Sequence, residues 1–329
     1  MLVAGSTGRV GQLVCKKLLE SAVSVRAITR NIKEAKKIFS GQSDLIEIVE
    51  ANLLDTKLLK ELCSDCDAII WCATGFSSAE KSSPWDKLTG LFRLKFFPDS
   101  IIDIAAIKEF GAIFAAKEKD GLPQIIMCSS AGVSRPSWDE SKKQKYVGAA
   151  DIPIVRLNPF NILDRKLEGE NILRQSGADY CIVRPCGLND NWPSGRPLLT
   201  QGDLAVGRIS RADAASLLVA MSNEANARSK TIEAIALPNF PTPVSYADQL
   251  NRLADDGTEI SDSALEATYA ILQQCTPGTR YHHHNRLMDV KIYLASSPVL
   301  IIHTYIHMYI HTIYTYGSQP QTTCLLYIW

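Results

Sequence analysis

The chain has 329 residues, with 35 Lys and Arg against 35 Asp and Glu, so its formal net charge is zero. Balanced charge excludes a general nucleic-acid binder, which needs a surplus of cations to neutralise phosphates. Nine cysteines without regular spacing, several inside apolar runs, exclude a disulfide framework and point to a reducing compartment.

Met1 to Ala4 is a short apolar run that predicts a first strand. Gly5-Ser6-Thr7-Gly8-Arg9-Val10-Gly11 follows directly, and from Gln12 to Glu20 the apolar spacing becomes helical. Strand, glycine-rich turn and helix in this order are the context of a dinucleotide fingerprint, here spaced G-x-x-G-x-x-G. Gly5 serves the tight turn, Gly8 the approach of a pyrophosphate and Gly11 the packing of helix on sheet, with the helix N-terminus facing the anion. All seven residues from Gly5 to Gly11 are therefore expected to bind the cofactor.

Val23 to Ile28 predicts a second strand, ending in Thr29-Arg30-Asn31. An NAD enzyme places an acidic residue here for the ribose 2′-hydroxyl. Arg30 stands in its place, and with Arg9 it offers guanidinium groups to a 2′-phosphate, so NADP(H) is expected in preference to NAD(H). Ile46 to Val49 predicts the third strand, with Asn52 and Leu53 beside the adenine and Asp55 as a helix cap. Ala68 to Cys72 predicts the fourth, closed by Ala73-Thr74-Gly75, small residues suited to close approach beneath a cofactor. Cys63-Ser-Asp-Cys66 ends a helix, away from the position that activates a thiol, and no second pair completes a zinc site; it reads as structural.

Phe76 to Ser100 interleaves aromatic with basic residues and is expected as a lid-like insertion. It either packs its own aromatics or meets a small-molecule substrate, a protein partner or a lipid surface. Ile101 to Lys117 then predicts a helix and Gln124 to Cys128 the fifth strand, followed by Ser129-Ser130-Ala131-Gly132 at the strand end where α/β sheets gather their chemistry. Asn161 to Gln175 predicts a helix carrying Lys166 and Glu170 one turn apart, the spacing of a surface ion pair. Tyr180 to Pro185 predicts a sixth strand and Thr231 to Leu237 the last. Between them Ile209 leads into a helix with Ser210 as its cap and Asp213 in its first turn. The alternation predicts one α/β domain over residues 1–257, a Rossmann-like doubly wound parallel sheet.

These strings resemble the NmrA-like, NAD(P)-binding branch of the atypical short-chain dehydrogenase/reductase family. The likeness is carried by AGSTGRVG at Ala4–Gly11, TR at Thr29–Arg30, CSSAG at Cys128–Gly132, KLEGE at Lys166–Glu170, SGADYCIVRPCGL at Ser176–Leu188 and ISRADAA at Ile209–Ala215. It implies a cofactor held also by Lys166 and Pro185, and chemistry by Lys166, Ser129 and Ser130. Family enzymes that reduce carbonyls use Tyr-x-x-x-Lys, in which Tyr donates the proton. Here Ile162 stands four residues before Lys166, and neither Tyr146 nor Tyr180 has the required spacing. The resemblance therefore implies either an NADPH-dependent oxidoreductase or a non-catalytic cofactor-sensing scaffold, such as an assembly factor for a photosystem. It is similar to plastid and cyanobacterial members, which implies a plastid; the sequence itself carries no transit peptide before its short first strand and otherwise reads as cytoplasmic.

Past Pro238 the character changes. Tyr246 to Asp255 predicts one more helix, and from 258 to 329 a poorly structured tail is expected. All six histidines lie beyond residue 281, and His-Thr-Tyr-Ile at 303–306 nearly repeats at 307–310. The four-base repeat CATA read in triplets encodes that tetrad, so the tail reads as translated simple-repeat DNA with no metal site; a spliced message encoding Tyr281–Trp329 would refute this. Pro298 to Tyr316 is apolar but studded with histidines, and no transmembrane span is expected.

Overall fold

The computed structural model describes residues 1–41, 44–74, 76–78, 94–96, 102–238 and 243–275. The chain divides into two units, Met1–Thr279 and Arg280–Trp329, and all described residues fall in the first. The histidine-bearing tail and most of the expected Phe76–Ser100 lid lie outside the described residues. Of the lid, Phe76–Ser78 and Leu94–Phe96 pair as a small antiparallel ribbon.

The main sheet has eight strands: β1 (Leu2–Ala4), β2 (Val25–Thr29), β3 (Ile46–Glu50), β4 (Ile69–Trp71), β5 (Ile125–Cys128), β6 (Tyr180–Pro185), β7 (Gly195–Thr200) and β8 (Lys230–Pro238). Their order is β7-β8-β6-β5-β4-β1-β2-β3. Every pairing is parallel except β7 against β8, so the order reverses direction between β1 and β4, the switch point at which such sheets bind ligands.

Alternation along each strand divides the core between two faces. Val3, Ala27 and Ile70 point to one side, where α1 (Gly11–Glu20), α2 (Ile32–Ile38) and a later helix, Arg211–Met221, cover them with Val14, Leu18, Ala35, Leu217 and Leu218. Leu2, Ala4, Ile69 and Trp71 point to the other, under α3 (Thr56–Cys63), α4 (Ile102–Ala115) and α5 (Ile162–Gln175). Arg211–Met221 is α6, capped by Ser210, whose Oγ accepts from the Asp213 amide at 2.9 Å. Asp55 caps α3 through the Leu58 amide at 3.2 Å.

The helix expected over Tyr246–Asp255 forms only at Ala247–Leu250, and two further elements depart from the sequence reading. Strand β7 lies where the sequence reading assigned no element; it contains Gly195 and Pro197, and as the edge strand of the sheet it tolerates proline. Helix α7 (Asp262–Cys275) lies past the boundary expected at residue 257. Its Leu272 is buried, Tyr269 Oη accepts from the Gly148 amide at 2.9 Å, and Lys145 pairs with Glu266 at 2.7 Å, so the described body runs on to Cys275. The signal was a stripe at Leu265, Tyr269 and Leu272 behind the capping Ser261.

Candidate dinucleotide-binding site

Gly5 sits at φ +75°, and a Cβ on it would lie 2.6 Å from the Ala73 amide nitrogen at the end of β4. A Cβ on Gly11 would fall 2.2 Å from the Gly5 carbonyl oxygen. Only glycine lets the loop turn tightly enough for α1 to start directly above β1. Within the loop the Gly8 amide donates to Gly5 O at 3.0 Å and Gln12 Nε2 to Thr7 O at 2.7 Å. Ser6 is fully buried and donates its hydroxyl to Ile28 O at 2.7 Å, tying the loop to the end of β2.

The start of α1 has no capping side chain and no acidic residue in its first turn. The amides of Thr7, Arg9, Val10 and Gly11 find no acceptor among the described residues. Unpaired N–H groups at the positive end of a helix are what a phosphate requires.

Around this loop the expected cofactor residues separate by environment. Arg30 is exposed just past β2, on the turn set by Thr29 Oγ1, which accepts from the Asn31 amide at 3.0 Å. Arg9 instead donates to Asp190 Oδ2 at 2.8 Å, and Arg211 holds the other oxygen at 2.7 Å. Asn52 is exposed with its side chain accepting from the Leu54 amide at 3.0 Å, while the Leu53 side chain is buried in the core. Ala73 is buried at the end of β4 and Thr74 exposed beside it; Gly75 lies outside the described residues. Pro185 is buried, and its carbonyl accepts from Ala131 N at 3.1 Å, setting the loop after β5.

Lys166 lies on α5, partly buried, and its charge reaches Cys72, just past β4, and Cys128 at the end of β5. Burial pushes the Cys72 thiol well up and the Cys128 thiol to about 11, and the Lys166 charge opposes both shifts. Ser129 is buried with its Oγ lacking any hydrogen-bond partner, whereas Ser130 Oγ donates to Ala131 O at 3.1 Å. Ser129, with its unpartnered hydroxyl, follows β5 at the carboxyl edge of the sheet, and the Lys166 charge acts on the cysteines at the ends of β4 and β5.

Glu170 does not make the surface pair with Lys166 that its spacing suggested. It is fully buried and accepts from Arg184 at 3.0 and 2.5 Å and from Arg174 at 2.9 Å. Helical phase turns position 170 into the sheet, where Arg184 of β6 meets it. Gly169 beside it takes a Cβ only 2.5 Å from the Asp103 carbonyl oxygen, so α5 packs directly on α4. The network continues through Asp203, which accepts from Gly132 N at 2.6 Å and Ser134 N at 2.8 Å and lies 3.6 Å from buried Arg135. Glu233 accepts from the amides of Asp203 and Ala205 at 2.5 and 2.6 Å; burial and the Asp203 charge push its carboxyl up. Arg135, Asp203 and Glu233, which position the loop after β5, carried no signal in the sequence: each is a lone charge beside small or apolar neighbours.

Neither tyrosine supplies the missing phenol at Ile162, which packs against Val133, Val155 and Leu163. Tyr146 is buried between Trp138 and Tyr269, and Tyr180 donates to Asp256 at 3.0 Å, at the opposite end of β6 from the cofactor edge. Cys63 and Cys66 are buried free thiols, with burial pushing Cys63 to about 12, and Lys117 donates to both of their carbonyls.

A family model described as NAD(P)H-binding matches residues 5–225. The chain belongs to this NAD(P)H-binding family. It is 28% identical over 255 residues to an uncharacterized chloroplastic protein of Arabidopsis thaliana, covering 75% of this chain and 80% of that one. It is 28% identical over 251 residues to an uncharacterized sugar epimerase of Bacillus subtilis (strain 168), covering 75% and 97%. Among solved structures, a short-chain dehydrogenase/reductase of Veillonella parvula in complex with NADP superposes with a TM-score of 0.53 at 14% identity, over 74% of this chain and 97% of that one; this likeness is one of fold. Among the described residues no group of three or more His, Cys, Asp or Glu could hold a metal, and no helix is long and apolar enough to cross a membrane.

Proposed function

We propose that the chain binds NADP(H) across the switch point and uses it to reduce a small or lipophilic acceptor. The observation that carries this is the start of α1 without a side-chain cap, with four amides unpaired among the described residues in a loop whose Gly5 and Gly11 leave no room for a Cβ. These donors, at the start of a helix with no acidic side chain in its first turn, suit a pyrophosphate. Arg30 takes the 2′-phosphate, Asn52 and the backbone at Leu53 border the adenine, and Ala73, Thr74 and Pro185 border the nicotinamide half. Bound there, the nicotinamide supplies or accepts hydride.

The chain's own groups do the rest. Lys166 holds the nicotinamide ribose and raises the local positive potential at the ends of β4 and β5. Ser129 turns its unpaired hydroxyl to the acceptor carbonyl, and Ser130 supports the turn. With Ile162 in the apolar cluster, the proton comes from water. The ribbon-forming lid segment borders the acceptor or a protein partner. The chloroplastic relative supports a plastid location.

The test is acceptor-dependent oxidation of NADPH across a panel of quinones and conjugated carbonyls, with Ser129→Ala and Lys166→Ala. Turnover that Ser129→Ala lowers in kcat, and Lys166→Ala in KM for NADPH, is the expected result. One observation favours a second reading: the position four residues before Lys166 holds Ile162, an apolar side chain packed against Val133, Val155 and Leu163. Tight NADPH binding with no turnover on any acceptor would move the assignment to a cofactor-sensing scaffold.

A further inference from the structure

We propose that Asp190 is an internal counter-anion for the glycine loop, holding Arg9 until a dinucleotide phosphate takes it. This rests on the dinucleotide reading above and concerns how that site is regulated.

Arg9 is the loop's one cationic side chain, and it donates to Asp190 Oδ2 at 2.8 Å. The two ends of this ion pair are held very differently. Asp190 is fixed: Arg211, 16% exposed at the first turn of α6, takes its other oxygen at 2.7 Å. The arm that carries it is pinned along its length. Asn189 N donates to Ile209 O at 3.1 Å, Trp192 Nε1 to Ala236 O at 3.3 Å, and Ser194 Oγ and Gly195 N to Asp213 at 2.5 and 3.3 Å. Arg9, by contrast, is a long side chain 65% exposed on the turn before α1. When an anion arrives at the unpaired amides, Arg9 is therefore the partner that moves, and Asp190 stays with Arg211.

The exchange runs downhill. An exposed ion pair is worth about two- to fivefold in an equilibrium constant, and a charge-assisted fork onto phosphate exceeds it. Until then the carboxylate cancels the charge of the phosphate loop, which lowers its affinity for free phosphates and mononucleotides that lack the rest of the cofactor's contacts.

The experiment is a fluorescence titration of the full chain with NADPH, comparing wild type, Asp190→Asn, Arg9→Ala and the double variant, with thermal midpoints to confirm folding. Inorganic pyrophosphate serves as a competing probe. Asp190→Asn is expected to bind NADPH about two- to fivefold more tightly and to be more sensitive to pyrophosphate, and Arg9→Ala is expected to erase that gain. Unchanged or weaker binding by Asp190→Asn, or a gain that survives Arg9→Ala, overturns the inference while leaving the dinucleotide site standing. Absence of NADPH binding in both wild type and Asp190→Asn overturns the reading of the site itself, and this inference with it.

Discussion

The two halves of the sheet treat polar groups in opposite ways. On the β1–β2 side, the loop from Gly5 to Gly11 leaves four amides without acceptors among the described residues and starts a helix without a side-chain cap. On the β5–β6–β8 side, Glu170, Arg184, Asp203, Arg135 and Glu233 are buried, and each is hydrogen-bonded. Unsatisfied donors are costly unless a ligand completes them, whereas a satisfied buried network fixes geometry. On the proposed reading the first half receives an anion, while the network of the second holds the loop after β5 through Asp203.

Breaking the second half has the largest expected effect. Arg184→Ala strands the fully buried Glu170 carboxylate against Arg174 alone, and loss of one partner of such a pair costs about 3–5 kcal/mol. The thermal midpoint should fall by roughly 10 °C, while the ratio of NADPH to NADH affinity stays constant. In the first half, Gly11→Ala forces the start of α1 off the Gly5 carbonyl. Overpacking of about 1–3 kcal/mol should appear in a calorimetric titration as a tenfold to hundredfold loss of dinucleotide affinity.

Which of these features were legible in the sequence follows from what each residue does. The glycine loop was readable because strand, turn and helix adjoin and each glycine answers a local steric demand. Seven of the eight sheet strands, the caps Asp55 and Ser210 and the structural character of Cys63 and Cys66 were readable for the same reason. Glu170 was not, since i,i+4 spacing shows a neighbour on the helix and not a partner on another strand. The family-like strings KLEGE and SGADYCIVRP carry architecture as much as chemistry. Within them Gly169 admits α4, Glu170 meets Arg184, and Tyr180 anchors Asp256. Helix α7 was obscured by the repetitive tail that follows it, and β7 by its proline.

Smaller effects sharpen the contrast. Ending the chain at residue 257 removes Leu272 and Tyr269 from the cluster around Tyr146, and should cost about 2 kcal/mol by lost apolar burial, read as a lowered midpoint in a thermal melt. Arg30→Ala should weaken NADPH by about tenfold, as expected of one charge-assisted contact, and leave NADH affinity unmoved.

The smallest effect is one of pH. Arg26, which donates to Asp65, holds that carboxyl at about 2, below its ordinary value. The stability it contributes is complete above the usual carboxylate range and is lost as pH falls towards 2. Asp65→Asn should flatten that part of the acid unfolding curve and change nothing at neutral pH.

The measurement closest to the central claim is a titration of the full chain with NADPH and with NADH, followed by nicotinamide fluorescence, in wild type and Arg30→Ala. The account predicts that wild type binds NADPH more tightly than NADH, and that Arg30→Ala removes this preference by weakening NADPH alone. Binding of neither nucleotide, or a preference that Arg30→Ala leaves intact, would contradict it.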